Sequence, residues 1–145
     1  MYNFLLHLHS GFRYVVMVML VAAILVAFAG WLGKREYSEG NRKLNLFAMI
    51  SAHTQFLIGL ILYFVSPYVQ FTSVTMKDTT LRYWTMEHLV MMLFAIVLIT
   101  VGHSRAKKTV LHDGKFRAIA IYYSLALLVI VAAILQSGRG LFGTN

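Results

Sequence analysis

The chain has 145 residues, of which 59% are hydrophobic and only 12% charged, with a formal net charge of +8. Soluble domains carry roughly 25% charged residues, so this composition, with a mean hydropathy of +0.71, reads as a membrane protein forming one domain over residues 1–145. Cysteine is absent, which excludes disulfides, thiolate haem ligation, CxxCH haem attachment and iron–sulfur clusters.

Four apolar segments follow in chain order. The first, Phe4 to Leu32, holds His7, His9 and Arg13 near its start and is uncharged from Tyr14 onward. Asn3 stands where a helix cap is expected. An Ala27-Phe28-Ala29 sequence resembles a signal-peptide cleavage site, but the positive charge ahead of the apolar run is a single arginine, so the segment is read as a retained span. The second segment, Leu44 to Ser66, carries no charge and ends at Pro67, the only proline, which stops a helix. The third, Tyr83 to Gly102, contains one carboxylate, Glu87, and begins near Thr80 or Arg82. The fourth, Ala118 to Ser137, is again uncharged. About 20 helical residues cross ~30 Å of hydrocarbon, and in lipid each backbone group bonds within its own segment. The expected fold is therefore an all-α membrane protein. Short connections make its four transmembrane helices an up-down antiparallel bundle.

The loop charges set an expected orientation. Lys34, Arg35, Arg42 and Lys43 lie between the first two spans, and Arg105, Lys107, Lys108, Lys115 and Arg117 between the last two. Against them stand only Lys77 and Arg82 in the middle loop and Arg139 in the tail. The excess places the first and third loops in the cytoplasm and both termini on the non-cytoplasmic side of the cell inner (cytoplasmic) membrane, a multi-pass arrangement. Basic loops of this kind face anionic membrane lipid, and no nucleic-acid partner is expected. Tyr2, Tyr68, Tyr83 and Trp84 would form an outer aromatic belt, with Trp31 and Tyr37 on the inner side.

Depth singles out two of the six histidines. At 1.5 Å per residue, His9 lies roughly 9 Å inside the outer end of the first span, and His88 lies about 9–12 Å inside the outer end of the third. In an up-down bundle these two helices run parallel across the diagonal of the core. Two imidazoles facing one another at one depth are what axial ligation of a b-type haem requires, so His9 and His88 are the expected iron ligands. Arg13, four residues after His9, shares its helix face and is expected to pair with a haem propionate or with Glu87, since an intramembrane charge faces the interior and finds a partner. Met91, Met92 and Ala95 follow His88 at the spacing of one helix face and offer soft walls for a flat group.

The other histidines are less pointed. His53 lies about 20 Å from the outer end of its span, as a candidate for a second cofactor, a quinone, a lipid head group or a plain interhelical hydrogen bond. Gln55, two residues on, faces nearly the opposite way. His103, near the inner end of the third span, would make a second haem site with His53 only across a depth difference of more than about 6 Å. His7 is the substitute ligand if the first helix is rotated, and His112 sits in a polar loop as a solvated residue.

"LHLHSGFRYVV", "AHTQFLIGLILYF" and "EHLVMMLFAIVLI", from the first three spans, resemble the small four-helix membrane cytochromes b and, more distantly, one half of a heme A synthase. The resemblance implies non-covalent haem b and electron transfer, with respiratory-complex subunits or a quinone as partners. The site set expected is His9 and His88 on the metal, with Arg13, Glu87 and His53 around the cofactor. Two other readings stand beside it. One is a heme-A-synthase-like or quinone-linked membrane oxidoreductase using Glu87, His53 or Arg13. The other is a cofactor-free accessory subunit or small transporter.

Overall fold

The computed structural model describes residues 2–136, so Ser137 and Arg139 lie outside the described residues. Within it are four long helices: α1 over Tyr2–Leu32, α2 over Glu39–Val65, α3 over Thr79–Lys108 and α4 over His112–Gln136. All four are long and apolar enough to cross a membrane. Their outward faces carry Phe4, Val18, Leu25, Phe64, Val90 and Phe94, all exposed. Apolar surface of this extent marks a contact with membrane or with another protein.

The helix ends follow local chemistry more closely than hydropathy does. Asn3 is not a cap, because α1 already includes Tyr2. α2 begins five residues before the apolar run, where Ser38 and Asn41 form a capping box, the Ser38 hydroxyl accepting from Asn41 N–H and the Asn41 amide oxygen from Ser38 N–H. It stops at Val65, with Ser66 extended, because Pro67 disfavours helical geometry in the residue before it. Asp78 starts α3 by accepting from Leu81 N–H at 3.0 Å. One turn later α3 widens into a π-helical turn over Tyr83–Glu87 before resuming as α-helix from His88. Hydropathy gives no sign of that turn.

α4 packs along both α3 and α1, α1 also packs along α2, and α2 and α3 meet over a much shorter interface. α1 and α3 therefore lie across a diagonal. Neighbours run antiparallel, as Gly30 near the end of α1 meets Phe116 near the start of α4. The core is built of small residues, Ala23, Ala27, Ala48, Ala52, Ala95, Ala120 and Ala126, interlocked with Leu20, Ile99, Phe116, Ile119 and Tyr123. Small residues let helix backbones approach when no water is being expelled between them. At Gly102 a Cβ would lie 2.5 Å from Tyr122 Cβ, so α3 and α4 touch nearly backbone to backbone.

One end of the bundle is locked by polar contacts. Asn45 donates to the Tyr37 hydroxyl at 2.7 Å, and the Tyr123 hydroxyl donates to the Asn45 carbonyl at 2.8 Å. Tyr37 N–H donates to His112 Nδ1 at 2.8 Å. His112 is exposed, as expected, but it is the first residue of α4 and a tie to the α1–α2 loop, not a loop residue. The cavity lies toward the opposite end, beside Tyr68 and Val69 of the α2–α3 loop.

Candidate functional site

Four small residues, Ser10 on α1, Ala52 and Gly59 on α2 and Ala95 on α3, line a cavity with an interior of about 150 Å³ available to the centre of a water molecule. One water needs roughly 10–15 Å³ on that measure, so the space suits a sizeable organic group. Its walls are mostly apolar, including Leu6, Val16, Phe56, Leu60, Met92 and Ile130, while Tyr2, Tyr68 and Val69 close the end nearest the α2–α3 loop.

His9 and His88 face one another in this space, their ring centroids 6.5 Å apart and their planes 83° from parallel. Each owes its placement to specific neighbours. Gln55 donates from Nε2 to the His9 carbonyl at 2.7 Å, tying α1 to α2 at this level. One turn along α2 is Gly59, where a Cβ would stand 3.0 Å from His9 Cε1; only glycine leaves the imidazole its present seat. His88 packs against the Trp84 ring at 5.1 Å, and its Nδ1 meets the Tyr83 hydroxyl at 3.2 Å. The Tyr63 hydroxyl donates to the Thr85 carbonyl at 2.7 Å, and Gln70 N–H donates to Thr85 Oγ1 at 3.0 Å. The first bond fastens α2 and the second the α2–α3 loop to the π-helical turn, and together they hold the roof over the pair.

Arg13 is the one formally charged side chain among the described residues lining the cavity. Its guanidinium lies 5.1 Å from the centre of the Tyr14 ring and donates to the Tyr14 hydroxyl at 3.3 Å. A cation in an apolar wall attracts an anionic group on whatever fills the space.

The remaining expected residues lie elsewhere. Glu87 is outside the cavity: it accepts from Arg82 Nε at 2.7 Å and from Gln136 Nε2 at 2.8 Å, in a shallow groove with Met86, Val90 and Met91. The π-helical turn rotates it there, so the alternative of an Arg13–Glu87 pair does not form. Of the residues following His88, Met92 and Ala95 reach the cavity and Met91 does not. His53 makes an interhelical bond with Thr100 Oγ1 at 2.9 Å, and neither it nor His103 lines the cavity. His7 is exposed.

Sequence reading missed Gln55, Gly59, Tyr63, Tyr83 and Trp84 as site residues. Gln55 and Gly59 were within reach of it, because they stand four apart on α2 and so share a face. Tyr83 was not, because its role depends on the π-helical turn.

The pair fits axial ligation. Two metal–imidazole bonds of about 2.0 Å, each with about 1.1 Å from nitrogen to ring centre, separate the centroids by roughly 6.2 Å, close to the 6.5 Å found. Among the described residues, no three histidine, aspartate or glutamate side chains gather as a metal cage would need. Axial ligation of a macrocycle needs only two. Comparison with family models, curated proteins and solved structures gives no match.

Proposed function

We propose that the chain is a membrane b-type cytochrome in which His9 and His88 hold a non-covalent haem and Arg13 pairs with its carboxylates. The observation that carries this reading is the His9–His88 pair, 6.5 Å apart across an apolar cavity in the membrane-spanning part of the bundle. When bound, haem b supplies one-electron Fe(III)/Fe(II) chemistry. The protein's own residues then do the rest. The two imidazoles would hold the group, Arg13 would offset its negative charge, and Met92, Ala95, Leu60 and Ile130 would exclude water, the levers by which a protein sets a haem potential.

The basic first and third loops support an orientation with those loops in the cytoplasm and both termini outside, in the cell inner membrane. On that orientation the haem lies in the outer leaflet, where respiratory-complex subunits or a quinone can exchange electrons with it.

Protein purified from haem-sufficient cells should give a reduced-minus-oxidised haem b spectrum, and His9→Ala and His88→Ala should each lose it. A folded, colourless wild-type preparation overturns the proposal and leaves the accessory-subunit or transporter reading. A quinone-linked oxidoreductase is favoured by one observation, Gln55 Oε1, which is buried on the cavity wall with no hydrogen-bond partner among the described residues and is an acceptor suited to a quinol hydroxyl. Extraction of bound small molecules followed by mass measurement distinguishes quinone or modified haem from haem b.

A further inference from the structure

Residues five apart on an ordinary α-helix point about 140° away from one another. Tyr83 and His88 are five apart, yet the Tyr83 hydroxyl lies 3.2 Å from His88 Nδ1. The π-helical turn over Tyr83–Glu87 makes this possible. His88 N–H bonds to the Tyr83 carbonyl, an i→i+5 closure, and that wider turn brings both side chains to one side of α3. Single π turns of this kind occur often at functional sites.

The Tyr83 side chain is almost fully buried, at 4% exposure. Its hydroxyl has one proton, and the bond that uses it runs to the Ala133 carbonyl on α4. Toward His88 the hydroxyl therefore presents a lone pair, and Nδ1 must carry the hydrogen that fills the contact. A neutral imidazole has one ring N–H, so with the hydrogen on Nδ1 it is Nε2 that keeps the lone pair through which a histidine binds a metal.

We infer that Tyr83 is a positioning residue: held by the π-helical turn between Ala133 and His88, it fixes His88 in the Nδ1–H tautomer and aims Nε2 into the cavity. This rests on the haem reading above for its consequence, though not for its geometry. Metal-bound histidines are commonly oriented through their second ring nitrogen, and losing that partner costs about 10–100-fold in affinity or activity. A hydrogen bond accepted from Nδ1–H also gives the ring more imidazolate character, which favours Fe(III) over Fe(II).

The test is Tyr83→Phe, which keeps the ring and removes the hydroxyl, with Tyr37→Phe as the control for loss of a hydroxyl at the opposite end of the bundle. Two measurements are made on full-length protein in detergent: the ¹⁵N spectrum of the His88 ring without haem, assigned by its loss in His88→Ala, and the haem midpoint potential. Wild type should show Nδ1 protonated and Nε2 bare, and Tyr83→Phe should show the other tautomer appearing. The variant's potential should rise by about 59 mV, a ten-fold shift of a one-electron equilibrium toward Fe(II), and Tyr37→Phe should change neither readout. A wild-type ring protonated at Nε2, a Tyr83→Phe protein matching wild type, or the same shift in Tyr37→Phe overturns the inference. If wild type takes up no haem, the functional proposal falls, and the ring spectra alone then support or overturn the role of Tyr83.

Discussion

Replacing Gly59 by alanine sets helix propensity against the site. Alanine in a helix interior is favoured over glycine by roughly 0.5–1 kcal/mol, so a purely structural position on α2 should gain stability. At Gly59 the added Cβ would stand 3.0 Å from His9 Cε1, whereas carbon atoms at rest lie about 3.5–4.0 Å apart. The imidazole must therefore retreat by a few tenths of an ångström, up to about 0.5 Å. A misplacement of about 1 Å costs around 100-fold at a functional site, so half of that corresponds to about ten-fold in haem affinity, or ~1.4 kcal/mol. The assay is paired: haem titration of purified protein, and thermal unfolding of the haem-free form. The expected result is weaker haem binding by a protein whose haem-free form is at least as stable as wild type, and Gly59→Leu, which fills the cavity, should abolish binding. Wild-type haem affinity in Gly59→Ala would refute the argument that this glycine exists to seat His9.

Three further outcomes follow from side chains outside the cavity. Glu87→Gln should leave the haem spectrum unchanged and lower thermal stability by less than ~1 kcal/mol, because its pair with Arg82 is partly exposed, at 30% and 37%. His53→Ala should also keep the spectrum while losing the bond to Thr100, a cost of about 0.6–1.7 kcal/mol measured by unfolding in detergent. The Tyr37 phenol, in the loop before α2, has its pKa raised above the ordinary 10.0 mainly by burial, with the Asn45 hydrogen bond opposing. The folded state thus holds this proton more tightly than the unfolded one. Stability should be level below pH 10, the ordinary value, and decline above it, with the decline shallower in Tyr37→Phe in a pH series of unfolding midpoints.

Hydropathy and spacing by themselves determined four apolar helices, the stop before Pro67 and the common level of His9 and His88. Each of these depends on short-range rules: rise per residue, the cost of an unbonded backbone in lipid, and the geometry before proline. Which way the side chains turn was decided only by tertiary structure. The five-residue π-helical turn carries Glu87 out to Arg82 and Gln136 and brings Tyr83 onto His88, and a single widened turn leaves no trace in an apolar pattern. Gln55 and Gly59 became site residues for a similar reason. Their importance comes from how closely α2 approaches the His9 turn of α1, and packing between helices sets that distance, not the order of residues along either one.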